Sequence, residues 1–165
     1  MPNWKQEAVN QRNRIRLTLD FWSAPQEEVA IPAAPASQNF NAVTVVGLPA
    51  GAVITRAVVM FKFRVIENSN AAANGLDGAQ HIEIQDDGGG AWTPAISLAA
   101  NLFTMGATIN LREGGDVLIG DHDVAGAGFV DGDDTYNIRW TDAHALQASL
   151  LFNDVQVGIR VFYSV

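Results

Sequence analysis

At 165 residues the chain fits one domain, large enough to bury roughly 70% of the surface its unfolded form exposes. It has no cysteine, which excludes disulfide and thiolate chemistry, and its net charge of −8 opposes the phosphate contacts on which non-specific nucleic-acid binding rests. No apolar run reaches about 18 residues and no basic, apolar, small-residue leader opens the chain, so the expectation is a soluble protein made in the cytoplasm, with neither membrane nor nucleic acid as partner.

Charge is unevenly spread. Residues 1–20 carry Lys5, Arg12, Arg14 and Arg16 against Glu7 and Asp20, a net +2 that leaves −10 on the rest. A basic amino-terminal segment joined to an acidic body reads as an arm that docks on an acidic surface, or as the solvated face of a first strand. Residues 1–13 have no clean period and suggest an extended lead-in, in which Trp4 is the aromatic that needs a docking place. From Arg14 to Trp22 the alternation is strict, with Ile15, Leu17, Leu19 and Phe21 on one face, as a half-buried strand requires. Pro25, Pro32 and Pro35 then punctuate residues 23–39, which read as a linker or as an ordered arm lying along the body or across to another subunit. The division expected is an arm, 1–39, holding a first strand and a proline-rich linker, and a β-sandwich body, 40–165.

Within the body, residues 41–46 read as a short strand, 47–51 as a turn, and 53–67 as one long strand bent near Thr55 or Arg56. His81 to Gln85 places Ile82 and Ile84 inward. Thr93 as N-cap, Pro94 at the first helical position and Ile96, Ala99, Ala100 and Phe103 at helical spacing predict one short helix ending near Gly106. Strands follow at 108–111, 116–120, 135–141 and 146–152, and the chain closes on its clearest one, with Val155, Val157, Ile159, Val161, Tyr163 and Val165 sharing a face. The fold expected is all-β: a single-domain, jelly-roll-like β-sandwich of about eight or nine strands, one short helix and an extended N-terminal arm.

Signals for chemistry are sparse. Glu113 to Asp134 holds seven acidic residues and no Lys or Arg. Asp131, Asp133 and Asp134 could contribute oxygens to a calcium ion, which favours six to eight of them, but the spacing is not that of an EF-hand, and aspartate beside glycine is also ordinary turn chemistry. His81, His122 and His144 are far apart, and Asp86-Asp87 near Glu83 sits in a glycine-rich turn. No serine has a nucleophile-elbow context, and the glycine runs lack a following phosphate-binding helix. Catalytic residues and cofactors are therefore expected to be none. Trp22, Trp92 and Trp140 could form a sugar-stacking platform, though Trp140 alternates with Tyr136 and Ile138 as a core residue would. This leaves Trp92 as the ligand residue of an alternative reading, a carbohydrate-binding or adhesion module assisted by calcium.

The proline-containing arm, the turn GLPAGAVI at 47–54 before a long strand, the Gly/Asp/Asn-rich loops and the closing LLFNDVQVGIRVFYSV at 150–165 resemble the β-sandwich structural proteins of tailed-phage virions, particularly capsid decoration or cement proteins. The resemblance implies a non-enzymatic virion subunit made in the host cytoplasm. It also implies a homo-oligomer, often a trimer, seated on the major capsid protein lattice and held partly by N-terminal arms. On that reading Trp4, Lys5, Arg12, Arg14 and Arg16 are the partner-contact residues.

Overall fold

The structure, a computed structural model, describes residues 16–31, 37–68, 80–97, 111–113, 118–120, 122–142 and 150–165. These form twelve strands, with no helix among the described residues: β1 (Arg16–Trp22), β2 (Gln26–Ile31), β3 (Ser37–Asn39), β4 (Val43–Val45), β5 (Val53–Lys62), β6 (Val65–Asn68), β7 (Gln80–Asp86), β8 (Thr93–Ser97), β9 (Leu111–Glu113), β10 (Leu118–Ile119), β11 (Asp134–Asp142) and β12 (Leu150–Ser164). Four of them, β3, β4, β9 and β10, have three residues or fewer, which leaves eight of the length that alternation makes visible.

The organising element is β12. Its first half pairs with β2 on one edge and β6 on the other, and its second half with β1 and β5, all antiparallel. β1 and β2 therefore run end to end as one ribbon, as do β5 and β6. β10 and β9 extend the outer edge of that second ribbon. The opposite sheet follows the order β8, β7, β11, with β3 and β4 sharing the free edge of β11. With end-to-end pieces counted once there are eight ribbons in chain order. One sheet runs first, eighth, third, sixth; the other runs second, seventh, fourth, fifth.

The two sheets enclose one core. Val155, Val157, Ile159 and Val161 of β12 and Ala57, Val59 and Phe61 of β5 face Ile82, Ile84, Tyr136, Ile138 and Trp140 of the other sheet, all fully buried. Rings fill its centre. Phe152 meets Phe61, Phe63 and Trp140 at centroid distances of 5.6, 5.3 and 5.3 Å, and Phe40 tilts against Phe61 at 5.5 Å. The indole Nε1 of Trp140 is buried with no hydrogen-bond partner among the described residues.

Several expectations are corrected. Thr93 to Ser97 does not start a helix: it is strand β8 on the edge of its sheet, where a residue without an N–H is tolerated, and Pro94 faces Glu83 across a register shift. The remainder of the expected helix lies outside the described residues. Of the readings given for 23–39, residues 26–31 follow that of an ordered segment along the body: they form strand β2, and β1, β2 and β3 are each laddered to strands of the 40–165 segment. The long strand expected over 53–67 is broken at Phe63-Arg64, while the irregularity expected near Thr55 or Arg56 is present: the β5–β12 register steps from Arg56 to Ile54, passing over Thr55. The two last strands, by contrast, are one of 15 residues that runs through Asp154 at φ 53°.

That break and that left-handed aspartate lie side by side. Ser23, between β1 and β2, donates its N–H to the Val157 carbonyl (2.9 Å) and takes the Val157 N–H on its Oγ (3.2 Å). Arg64, between β5 and β6, donates its N–H to Asn153 and pairs with the Asp154 carboxylate. A crease thus crosses three neighbouring ribbons, and a shallow depression lined by Glu27, Glu28, Arg64, Asn153 and Asp154 marks it.

Candidate functional site

The start of β1, the end of β12 and the loops at 46–52, 87–92 and 122–133 lie at one pole of the two-sheet body, linked by ladder pairs and hydrogen bonds. Arg16 and Val53 both pair with Ser164. The turn at 49–52 closes through the Ala52 N–H on the Pro49 carbonyl. Gly47 and Leu48 donate their N–H groups to the two oxygens of the Asp133 carboxylate, at 2.8 and 3.1 Å. Asp134 pairs with Val45, and Asp87 donates its N–H to the Thr135 carbonyl.

Two kinds of side chain are exposed there. Val46, Val53 and Val165 are 64%, 53% and 57% exposed, and Leu17 is 36% exposed. The same pole holds Asp86, Asp87 and Asp134, which can each offer a carboxylate oxygen within 4.8 Å of the others, and Asp131 and Asp133 on the loop before β11. Residues 45–55, 84–97 and 113–138 contain no Lys or Arg. The phenol of Tyr136, which donates to the Gly132 carbonyl, is pushed up to about 12 by burial and by Asp131, Asp134 and Asp86.

Asp123 anchors the 122–133 loop to β5. One of its oxygens accepts the N–H groups of Ala57 (3.0 Å), Ala125 (3.1 Å) and Gly126 (3.2 Å). Desolvation raises its pKa, but the three backbone donors and Arg56 outweigh that and hold it below the usual aspartate value. Gly120 approaches the other sheet so closely that a Cβ there would stand 2.5 Å from the Ala95 carbonyl oxygen.

The residues singled out by sequence are placed as follows. Asp131, Asp133 and Asp134 do not converge on one point: Asp133 spends both oxygens on the Gly47-Leu48 amides, and Asp134 instead joins Asp86 and Asp87. Three carboxylates supply part of a hard-cation shell, and Asp86 already accepts the Gly88 N–H, as turn aspartates do. Trp92 lies under the Arg139 guanidinium, 4.0 Å from ring centroid to Cζ, and Arg139 is itself held by Glu83 at 2.9 Å. One face of that ring is therefore occupied. Trp140 is core, stacked on Phe152. Arg16 opens β1, whereas Trp4, Lys5, Arg12 and Arg14 lie outside the described residues. Val165, expected on the apolar face of the last strand, is instead 57% exposed because it lies past the end of β12 at this pole, and the exposure of Val46 and Val53 escaped the sequence reading. For Val46 the available signal is an apolar residue that breaks the alternation after Val45.

No helix of the described residues is long and apolar enough to cross a membrane. No protein-family model and no curated protein matches the chain. Among solved structures it is similar to the capsid asymmetric unit of cyanophage Pam1 (18% identity, TM-score 0.33, 91% of this chain and 86% of that one) and to the capsid of Ralstonia phage GP4 (14%, 0.26, 92% and 84%). It is also similar to the crystal structure of FLHE (7%, 0.31, 90% and 96%). All three TM-scores lie below 0.5, so the functional reading rests on the chain's own residues.

Proposed function

We propose that the chain is a non-enzymatic virion subunit, a jelly-roll sandwich that decorates or cements a phage capsid as a homo-oligomer bound to the major capsid protein. The observation that carries this reading is the nested pairing of the eight ribbons. First pairs with eighth, second with seventh, third with sixth and fourth with fifth, as happens when one long antiparallel hairpin is rolled up. The wrap then brings eighth beside third and seventh beside fourth. This arrangement supports the jelly-roll reading, an architecture shared by capsid proteins, lectins and cupins.

Two features favour the first of those classes. Cupin-type chemistry needs room between the sheets, and here Phe61, Phe63, Phe152 and Trp140 fill it. Lectin-type stacking needs an open aromatic face, and Arg139 covers one face of Trp92. The basic segment before β1, with Trp4, Lys5, Arg12 and Arg14, supports arm-mediated attachment, since an extended arm gains contact area without disturbing the body. Such a subunit is made in the host cytoplasm and resides in the virion.

The test is co-sedimentation with emptied phage shells that lack their decoration layer, paired with light scattering for oligomeric state. The full chain binds as an oligomer, and a chain lacking residues 1–13 stays folded but binds weakly. Equal binding by the truncated chain removes the arm from the reading. If neither form binds shells, and glycan-array binding appears that Trp92→Ala abolishes, the carbohydrate module replaces it.

A further inference from the structure

We propose that the pole bearing Val46, Val53, Val165, Asp86, Asp87 and Asp134 is the surface on which a second copy of this chain seats its basic N-terminal residues, a proposal that rests on the arm reading above. Charge complementarity argues for this occupant. Residues 1–15 carry three basic residues, Lys5, Arg12 and Arg14, against one acidic, Glu7. The pole carries Asp86, Asp87, Asp131, Asp133 and Asp134, and its loops contain no Lys or Arg. Exposed charges separated by more than about 8 Å are screened at physiological salt, so the attraction acts only once the two segments touch. Contact also covers apolar surface. Three valines more than half exposed lie at the same pole as the carboxylates, and the arm brings Trp4 and Ile15 to meet them.

Geometry argues for exchange between copies. Arg16 is locked into the β1–β12 ladder opposite Ser164, so the arm departs from the same pole that bears its target. Copies grouped about an axis through this pole can each give one arm and receive one, and the contact repeats by symmetry. Fifteen extended residues reach up to about 50 Å, more than enough to cross to a neighbour.

The absence of cysteine makes the test clean, because only introduced thiols react. Two single-cysteine proteins, Arg12→Cys and Asp87→Cys, are mixed and treated with a short bismaleimide. The expected product is a cross-linked pair of unlike chains, lost in about 1 M NaCl where the screening length falls to about 3 Å. Glu27→Cys, beside the acidic crease, serves as the competing position. Substituting Asp86, Asp87 and Asp134 together by Asn is expected to weaken self-association by about tenfold or more, read by light scattering with the circular dichroism unchanged. The proposal is overturned by cross-linking to Glu27→Cys in place of Asp87→Cys, by cross-links found only within one chain when Arg12→Cys and Asp87→Cys are combined in a single protein, or by a triple variant that associates as tightly as the parent. Shell binding is scored separately. A chain that binds shells without the cross-link overturns this proposal alone, and one that cross-links without binding shells keeps it and overturns the virion role.

Discussion

Gly158 sits in the middle of β12, paired with Trp22 on one side and Met60 on the other, and replacing it with alanine separates two physical effects of opposite sign. Strand propensity alone favours alanine, because glycine inside a strand costs roughly 0.5–1 kcal/mol of extra chain entropy. Contact opposes it: a Cβ at this position would stand 2.8 Å from the Phe21 carbonyl oxygen and 2.8 and 3.0 Å from Cε3 and Cδ2 of the Trp22 ring. Neither neighbour moves freely. The Phe21 carbonyl belongs to a strand laddered to β12, and the Trp22 ring carries the Lys62 ammonium 4.2 Å from its centroid. Overpacking of this kind costs about 1–3 kcal/mol. With the propensity gain subtracted, the midpoints of the two ranges leave a loss of about 1 kcal/mol for Gly158→Ala, which for a chain of this length lowers Tm by about 2–4 °C. The assay is a thermal melt followed by circular dichroism, repeated in a Trp22→Ala background, where two of the three close contacts are gone. There the cost of Gly158→Ala should shrink, with a coupling of at least about 0.5 kcal/mol. An unchanged or raised Tm for the single variant would refute the argument that close approach selects glycine here.

Phe152→Ala removes a fully buried ring that touches Phe61, Phe63 and Trp140, and is expected to cost about 3–5 kcal/mol, a large share of a typical domain's stability, measured by urea unfolding. Asp123→Ala removes the acceptor of three backbone N–H groups and is expected to cost about 1–2 kcal/mol at neutral pH. Because the folded protein holds Asp123 below the ordinary aspartate value of about 3.9, its contribution is complete above that pH and is lost as pH falls through the lowered value. The difference in stability between parent and Asp123→Ala should therefore narrow with acidification below about pH 4. A difference that stays constant across that range would show that the carboxylate charge is not what the three amides bind.

Alternation by itself determined the all-β class and much of the inward face: Ile82 and Ile84, Tyr136, Ile138 and Trp140, and the odd-numbered residues from Val155 to Tyr163 are buried where period two places them, whereas Val165 is 57% exposed. That signal is local, carried by each residue and its second neighbours, and needs no knowledge of partners. What failed depended on partners. Thr93 to Ser97 has acceptable helix-start chemistry, and only the ladder to β7 makes it a strand. Asn153-Asp154 looks like the end of one strand and the start of another, yet flanking ribbons pair on both sides of it and carry β12 straight through. The acidic pole followed the same rule. Asp131, Asp133 and Asp134 were visible as a run, but pairing across the sheet divided them, sending Asp133 to the 47–48 amides and Asp134 to Asp86 and Asp87. Trp92 was visible as an aromatic, while the cation on its face arrives from a residue 47 positions further along the chain. Sequence states which side of a strand is apolar. Which strands become neighbours, and hence which charges, rings and glycines meet, is set by long-range pairing that only the tertiary structure decides.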